Sequence, residues 1–252
     1  MEILVCIKRY ILAGSQFELT PDQTEIDAKH LGYTLAPHEE VAVEQAIRFV
    51  EEFGGSTTVL SLGVPEAEEQ MREQMAIGAD RGILLATDGS EWDPQATASA
   101  IVDAVKSQPQ PFDLIMFGAE AADSNGSQVG IRVAHALGLP IVTNVRAVTI
   151  KDGVARCERV VGTNREVYEA TLPAVLTTRE GLNIPRYPSV PGRIKARKKP
   201  IETTTPAKPA SRVEKVKLIV PPNQKTGATV LGTGAAAAGA AVAMMEEIGV
   251  LP

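Results

Sequence analysis

Residues 114–130 read Leu114-Ile-Met-Phe-Gly-Ala-Glu-Ala-Ala-Asp-Ser-Asn-Gly-Ser-Gln-Val-Gly130, and the fold assignment starts here. The apolar run 114–117 predicts a buried strand, and the pattern at 128–137 predicts a helix that ends at Gly138. Small and polar residues fill the loop between them, so backbone amides can approach a bound anion, which the helix dipole also favours. The alternative interpretation is an ordinary polar crossover with a Ser or Asn helix cap.

The same alternation of strand and helix runs through most of the chain. Short apolar runs predict buried strands, and segments with apolar residues at helical spacing follow them. The predicted strands are residues 3–7, 57–62, 83–86, 114–117 and 141–143, and the other predicted helices begin at Pro37, near Pro65 and at Asp93-Pro94. This pattern predicts a doubly wound, mostly parallel α/β sheet with helices on both faces. Ligands of such sheets bind beyond the carboxyl ends of the strands, where the strand order reverses.

A β-hairpin insertion is expected after these strands. Residues 145–150 and 154–161 have strand patterns, and Lys151-Asp152-Gly153 supplies the positive backbone angles of the turn between them. Residues 166–171 predict a further strand, and residues 174–178 predict a buried one. The insertion therefore adds antiparallel strands to a parallel domain.

Two segments lack a regular pattern. Residues 8–36 form a long polar excursion, and residues 200–212 are rich in Pro, Thr and Ala, as tethers are. The tail continues with a strand-like run at 216–220 and a helix at about 235–248. The expected divisions are an α/β domain over residues 1–199 and an extended C-terminal arm over residues 200–252.

The composition is that of an ordinary globular protein. Hydrophobic residues make up 44% of the 252 residues and charged residues 22%, which argues against disorder and fibrous repeats. Aromatic residues make up only 4%, too few for the stacking platforms that bind single-stranded nucleic acids. Cys6 and Cys157 cannot build a disulfide framework, and no signal peptide is visible. We expect a soluble protein of the cytoplasm or of a matrix-type compartment.

Positive charge is concentrated between Arg179 and Lys199. This segment has seven basic residues and one acid, Glu180, a local charge of +6 in a chain whose formal net charge is −6. Such a patch attracts an acidic partner or a phosphate-bearing ligand over a long range. The alternative is a solvated basic linker. Duplex DNA is disfavoured because the acidic body of the protein would repel it.

Catalytic motifs are absent from the sequence. His30, His38 and His135 stand apart without HExxH spacing, and no GxSxG elbow, P-loop lysine or GxGxxG motif occurs. A phosphate at the 118–130 loop would rest on amides and polar side chains, which suits a bound nucleotide better than hydrolysis. The pattern favours a carrier, or else a regulatory protein that binds an adenine nucleotide without a redox role.

Short segments spread nearly from end to end carry a family resemblance. They are MEILVCIKRY (1–10), APHEEVAVEQA (36–46), AIGADRGI (76–83), the loop 121–130, LNIPRY (182–187), IKARKK (194–199), Pro221-Pro222 and EIGVL (247–251). Together they resemble the β subunit of electron-transfer flavoproteins. The resemblance implies a heterodimer with an α subunit, which holds most of a shared FAD. It also implies electron transfer from flavin dehydrogenases, such as acyl-CoA dehydrogenases, to a membrane quinone oxidoreductase.

The resemblance further implies a nucleotide site in this subunit, at the end of the sheet where the strand pattern places a ligand. In most of the family the nucleotide is AMP, with a structural role. The implied residues are Cys6, Ala36, Pro37, His38, Glu39, Leu62, Ala121, Ala122, Asp123, Ser124, Asn125, Gly126, Ser127, Gln128, Val129, Gly130 and Ile131. Family members usually have Asn-Pro-Phe where this chain has Ala36-Pro37-His38, so an apolar ring that would face the flavin is replaced.

The sequence of the loop is compatible with two different nucleotides. Gln128-Val129-Gly130 stands where typical members have Gln-Thr-Gly, and it resembles electron-bifurcating relatives that hold a second FAD and accept hydride from NADH. Leu182-Asn183 and Pro185-Arg186-Tyr187 resemble the ordinary, non-bifurcating form. AMP is therefore the expected ligand, and a second FAD is the alternative.

The resemblance also implies a role for the basic segment. Residues 182–199 correspond to a recognition loop that anchors on a partner dehydrogenase through one apolar side chain, here Val190 in place of the usual Leu. Arg186 is expected to lie near the interface or the flavin. The residues expected to steer and orient the partner are Arg193, Lys195, Arg197 and Lys198. No metal, nucleic acid or membrane insertion is implied.

Overall fold

The structure, a computed structural model, describes residues 1–12, 17–211, 213, 215–220 and 229–251, which form twelve strands and six α-helices. In chain order the strands are β1 (Glu2–Cys6), β2 (Arg9–Ile11), β3 (Tyr33–Leu35), β4 (Ser56–Gly63), β5 (Arg81–Ala86), β6 (Leu114–Gly118), β7 (Ile141–Val145), β8 (Ala147–Lys151), β9 (Val154–Val161), β10 (Asn164–Thr171), β11 (Ala174–Thr178) and β12 (Ile201–Thr204). The helices are α1 (Pro37–Phe53), α2 (Glu68–Ile77), α3 (Pro94–Ser107), α4 (Val129–Leu137), α5 (Val190–Ala196) and α6 (Ala238–Glu247). Short 3-10 turns at Pro65–Ala67 and Gly234–Ala237 precede α2 and α6.

Seven of the strands form one sheet in the order β12-β5-β4-β1-β6-β11-β7. Every pair of neighbours in this sheet is parallel. From β1 the chain continues to β4 and β5 on one side of that strand, and from β6 it continues to β7 and β11 on the other. The strand order therefore reverses between β1 and β6. The doubly wound α/β fold predicted from the sequence is confirmed.

Both faces of this sheet are buried beneath helices. Along β1, Ile3 and Val5 belong to a core cluster that includes side chains of α1 and α2. Leu4 and Cys6 point the other way, into a cluster with side chains of α3 and α4. A strand between two helical layers needs apolar residues on both faces, which explains the continuous apolar run at the start of the chain.

Helix α1 begins at the carboxyl end of β6. Pro37 occupies the first turn, where its fixed φ suits a helix start, and Gly54 at φ 73° ends the helix. Gly118, the last residue of β6, lies against this first turn. A Cβ at Gly118 would stand 2.8 Å from Cγ of Glu39, so only glycine permits the close approach.

The hairpin insertion forms a separate antiparallel sheet in the order β10-β9-β8. Its predicted turn is confirmed, because Asp152 and Gly153 have φ values of 50° and 74°. The predicted strand at 145–150 is wrong at its start. Val145 is the last residue of β7 in the main sheet, and β8 begins only at Ala147.

Three other segments differ from the expectation. The polar excursion 8–36 contains the antiparallel pair β2–β3. The expected tether 200–212 begins with β12, which pairs with β5 at the edge of the main sheet. Only Ile201 of that strand packs on the core, so its sequence shows no strand pattern. The strand expected at 216–220 is wrong, since no strand of the described chain pairs with these residues.

The chain divides into the compact units Met1–Val216 and Lys217–Pro252. The second unit contains α6, which lies within the helix predicted at about 235–248. The expected division of the chain at residue 200 stays a prediction, although β12 belongs to the main sheet. In the described parts of the chain, no helix has the length and apolar character needed to cross a membrane.

Candidate functional site

The site lies at the carboxyl end of the main sheet, between β1 and β6. Cys6 ends β1, Gly118 ends β6, and Leu62 is the last residue but one of β4. Because the strand order reverses between β1 and β6, the loops that follow them diverge and leave a crevice. Gly118 contacts His38 and Glu39 at the start of α1. The structure therefore brings Cys6, Leu62, the start of α1 and the loop after β6 to one edge of the sheet.

A cavity of about 330 Å³ opens where α1 begins, beside the loop after β6. Its volume falls within the range of about 300–1,000 Å³ that is usual for ligand pockets. The lining residues are Ala36, Pro37, His38, Glu120, Ala121, Ala122, Asn125 and Glu180. All of these except Glu120 and Glu180 belong to the residues implied by the family resemblance.

The other predicted residues do not line this cavity. Glu39, Cys6 and Gly130 are buried, Leu62, Gly126 and Val129 are half-buried, and Asp123, Ser124, Ser127, Gln128 and Ile131 are exposed. Burial raises the pKa of the Cys6 thiol far above its usual range, and the nearby Glu39 raises it further. The Cys6 thiol is therefore neutral, which argues against a role as a nucleophile.

The loop after β6 has an unusual backbone. Asn125 and Ser127 adopt the left-handed region with φ values of 47° and 49°, which few non-glycine residues do. Helix α4 then starts at Val129, and no side chain caps it. The Ser or Asn cap considered in the sequence analysis is therefore wrong. Space around Gly126 is open, because a Cβ there would have no atom within 4 Å. The uncapped amides at this helix start can donate hydrogen bonds to an anion.

Glu39 places a buried carboxyl at the crevice. The amide of Lys8 donates to Oε1 of Glu39 at 3.0 Å, whereas the buried Oε2 finds no hydrogen-bond partner among the described residues. Burial raises the pKa of Glu39 from its ordinary 4.5 to about 8. The carboxyl is therefore protonated near neutral pH and does not repel a bound anion.

An ion pair spans the crevice. Nζ of Lys8 lies 2.7 Å from Oδ2 of Asp123 and donates to Oδ1 at 2.9 Å. Lys8 follows β1, and Asp123 lies in the loop after β6. Both side chains are partly exposed, at 48% and 38%. This pair therefore joins the two walls of the crevice through a contact that water can reach.

His38 lies between the first cavity and a second one of about 530 Å³. The second cavity is lined by His38, Arg146, Arg179, Glu180 and Gly181. Nδ1 of His38 accepts a hydrogen bond from the amide of Glu180 at 3.0 Å, and Nε2 lies 3.4 Å from Oε1 of Glu120. Since Nδ1 is an acceptor, the ring proton of neutral His38 is on Nε2. The two cavities share His38 and Glu180.

Six residues of this region were not predicted from the sequence: Lys8, Glu120, Arg146, Arg179, Glu180 and Gly181. Lys8 follows β1, Glu120 follows β6, Arg146 follows β7, and residues 179–181 follow β11. Their signal is the rule that ligands bind beyond the ends of parallel strands.

The recognition segment forms a surface around α5. Ser189 caps this helix by accepting a hydrogen bond from the amide of Gly192 at 3.1 Å. A Cβ at Gly192 would collide with the carbonyl oxygen of Ala76, so glycine allows α5 to pack closely on α2. The exposed apolar side chains of this surface, the apolar patch, are Ile184, Tyr187, Val190 and Ile194. Val190 is 72% exposed.

The seven basic residues of the segment fall into two groups. Arg179 donates to Oδ1 of Asn144 at 3.1 Å, and Nζ of Lys199 donates to the carbonyl of Ala79 at 2.6 Å. Arg186 is also bonded within the chain. The other four are exposed and form no ion pair with any described residue: Arg193, Lys195, Arg197 and Lys198. We call them the basic group, and they are the four expected from the sequence to steer a partner.

Arg186 holds the start of the recognition segment on α1. Its Nε donates to Oε2 of Glu44 at 2.9 Å, and Nη1 donates to Oε1 of Glu51 at 2.6 Å. Burial tends to raise the pKa of Glu44, but hydrogen bonds from Arg186 and Arg48 outweigh that effect and lower it. The expected position of Arg186 near the interface or the flavin stays a prediction. Within this chain its role is to fix the segment.

Metal chemistry has no donor set in the described part of the chain. No group of three or more His, Cys, Asp or Glu side chains there could hold a metal ion. Both cysteines are free and buried.

Comparison with known proteins gives a consistent family. The model of the electron transfer flavoprotein domain matches residues 24–209. The electron transfer flavoprotein subunit beta of Syntrophomonas wolfei is 37% identical over 228 residues, which cover 90% of this chain and 88% of that protein. The corresponding subunit of Bacillus subtilis is 33% identical over 202 residues, or 80% and 78%. Subunit CarD of the caffeyl-CoA reductase-Etf complex of Acetobacterium woodii is 34% identical over 206 residues, or 80% and 77%.

Proposed function

The chain belongs to the electron transfer flavoprotein family as a β subunit, and from this membership we propose its partners, its nucleotide and its route of electrons. The chain pairs with an α subunit that holds most of a shared FAD. The heterodimer takes electrons from flavin dehydrogenases, such as acyl-CoA dehydrogenases, and delivers them to a membrane quinone oxidoreductase. FAD supplies the electron-transfer chemistry when bound. This chain supplies the docking surfaces and a nucleotide site.

AMP is the nucleotide proposed for the crevice between β1 and β6. The observation that carries this proposal is the 330 Å³ cavity between the start of α1 and the loop after β6, the loop that leads into the uncapped start of α4. The amides there suit a phosphate, and protonated Glu39 does not oppose one. Oε2 of Glu39 is buried without a partner among the described residues, so a hydroxyl or amine of the nucleotide would satisfy it.

A second FAD is the alternative occupant. Gln128-Val129-Gly130 supports it, as does the second cavity of about 530 Å³, which shares His38 and Glu180 with the first. Together the cavities offer room for a ligand longer than a mononucleotide. A subunit of this kind would accept hydride from NADH.

The C-terminal unit supports a stable heterodimer. Within Lys217–Pro252, the side chains of Val242, Met244, Met245 and Ile248 are exposed. Exposed apolar side chains in such numbers are typical of a protein interface. We infer that this unit packs on the α subunit. The free cysteines fit a reducing compartment, and we place the heterodimer in the cytoplasm.

The recognition segment supports docking of a dehydrogenase. Val190 projects from a capped helix, so its position is set before the partner arrives. The basic group next to it would speed the encounter with an acidic partner and orient it, and Val190 would make the short-range contact. Association of this kind is fast and short-lived, as an electron carrier requires.

Coexpression with an α subunit of the family tests the proposed function. We expect a yellow heterodimer whose absorbance spectrum gives one flavin per pair of chains. A ratio of two flavins would favour the second FAD over AMP. A colourless single chain that binds adenine nucleotides would contradict the proposal and favour a regulatory protein.

A further inference from the structure

A hydrogen bond fixes the backbone of Lys8, whereas its side chain can exchange one partner for another. Its amide donates to Oε1 of buried Glu39, which fixes its position beside the crevice. Its side chain is 48% exposed and reaches Asp123 on the opposite wall. Asp123 follows Ala122, and Glu39 follows His38, and both Ala122 and His38 line the cavity proposed for the nucleotide, so the pair lies at its edge.

The charges of the loop after β6 oppose an anion unless a cation is supplied. Residues 119–128 contain two acids, Glu120 and Asp123, and no basic residue. A phosphate in the cavity, which Glu120 lines, would therefore meet negative charge, and like charges repel. A cation that moved from Asp123 to the phosphate would attract the phosphate and so offset the repulsion by the carboxylates.

Two other cations near the loop, Arg132 and Arg179, already have hydrogen-bond acceptors within the chain. Nη2 of Arg132 donates to Oε1 of Gln128 at 3.0 Å. Arg179 donates to Asn144 and lies 3.5 Å from Glu120. Lys8 differs from both because its only side-chain partner among the described residues is a solvent-reached carboxylate on the other wall. Exposed ion pairs contribute little to stability, so exchange of this partner costs little.

We propose that Lys8 is a phosphate-binding residue of the nucleotide site. Its Nζ pairs with Asp123 when the crevice holds no phosphate and binds the 5′-phosphate monoester when the nucleotide enters. Asp123 is thereby a competitor of the ligand for Lys8. The inference rests on the proposed binding of AMP and adds a residue that distinguishes a nucleotide from its nucleoside.

The test is titration calorimetry of AMP and adenosine with the heterodimer after its nucleotide has been removed. We expect Lys8→Met to weaken AMP binding by about 10- to 100-fold, since a charge-assisted hydrogen bond is lost, and to leave adenosine binding unchanged. Asp123→Asn frees Lys8, so it should tighten AMP binding by several-fold. Lys151→Met, at an exposed turn of the hairpin, is the matched control and should change neither.

The outcomes separate the inference from the proposed function. Wild-type protein that binds neither ligand, or binds FAD in place of AMP, overturns the AMP site and with it this inference. Wild-type protein that binds AMP, with Lys8→Met binding it equally well, overturns the role of Lys8 alone. Equal AMP affinity of wild type and Asp123→Asn overturns the competition. Unchanged flavin content shows that each variant is folded, and Lys8→Arg should retain most of the affinity.

Discussion

At the scale of single residues, Glu39 makes the free energy of unfolding depend on pH. Its buried carboxyl has a pKa of about 8, against 4.5 when it is exposed. Between these values the folded chain binds a proton that the unfolded chain does not. The free energy of unfolding therefore falls as the pH rises from about 4.5 to about 8, by up to about 1.4 kcal/mol per pH unit from this residue.

Replacing Glu39 with Gln tests this link. The amide oxygen still accepts the hydrogen bond of Lys8, and no charge has to be buried at high pH. We expect the two proteins to have similar melting temperatures near pH 5 and the variant to melt several degrees higher at pH 9. Thermal unfolding of both heterodimers between pH 5 and 9 measures the difference. A difference that does not change with pH would show that Glu39 does not titrate in this range.

At the scale of elements, α5 is a rigid support for Val190. Val190→Asp places a charge in the apolar patch, so electron transfer from the dehydrogenase should slow by about tenfold or more, as loss of a central apolar anchor implies. Bound flavin should stay unchanged. Stopped-flow reduction of the heterodimer by the dehydrogenase measures both. Val167→Asp on the hairpin sheet, also an exposed valine, is the control. Loss of flavin from the Val190 variant would assign this residue to the cofactor instead.

The contacts of Arg186 with Glu44 and Glu51 predict that this residue stabilises the recognition segment on α1. Arg186→Met leaves buried Glu44 with Arg48 as its remaining ionic partner, and it should destabilise the chain by about 1–3 kcal/mol. Glu44→Gln in the same chain should recover part of the loss, because the unpaired charge is gone. Urea unfolding of both variants gives the coupling. Strictly additive effects would mean that Arg186 and Glu44 do not act as a pair.

The elements also show what sequence patterns can and cannot predict. The strands of the main sheet were predictable because burial on both faces gives continuous apolar runs, as in β1 and β6. Helix α1 was predictable from Pro37 and its apolar spacing. By contrast, β12 has one partly buried residue, Ile201, and no pattern reveals a four-residue edge strand. The segments of the crevice follow from the strand pattern and the family resemblance, but the contacts between them, such as Lys8 with Asp123, depend on residues 115 positions apart in the chain.

At the scale of the whole molecule, charge is divided between an acidic body and the basic group. The chain has a formal net charge of −6, yet the four exposed residues of the basic group lie within eight positions of Val190. Such a dipolar surface orients an acidic partner before contact. Its influence falls with salt, because the screening length is about 10 Å at 0.1 M ionic strength.

Neutralising part of the basic group should therefore change the rate of association and its dependence on salt. In the double variant Lys195→Gln, Lys198→Gln we expect association with the dehydrogenase to slow several-fold at low salt and to match wild type at high salt. Lys106→Gln, Lys151→Gln removes the same charge elsewhere on the surface and is the control. An equal loss in both double variants would mean that net charge matters and the location of the basic group does not.

The nucleotide released from the purified heterodimer is the most direct test of the crevice. We predict one AMP and one FAD per heterodimer after denaturation, measured by chromatography against protein concentration. Ala121→Trp, which places a large side chain in the cavity lining, should abolish the AMP and retain the FAD. A wild-type heterodimer that releases one FAD and no second nucleotide, or an Ala121 variant with its full AMP, would contradict binding at this crevice.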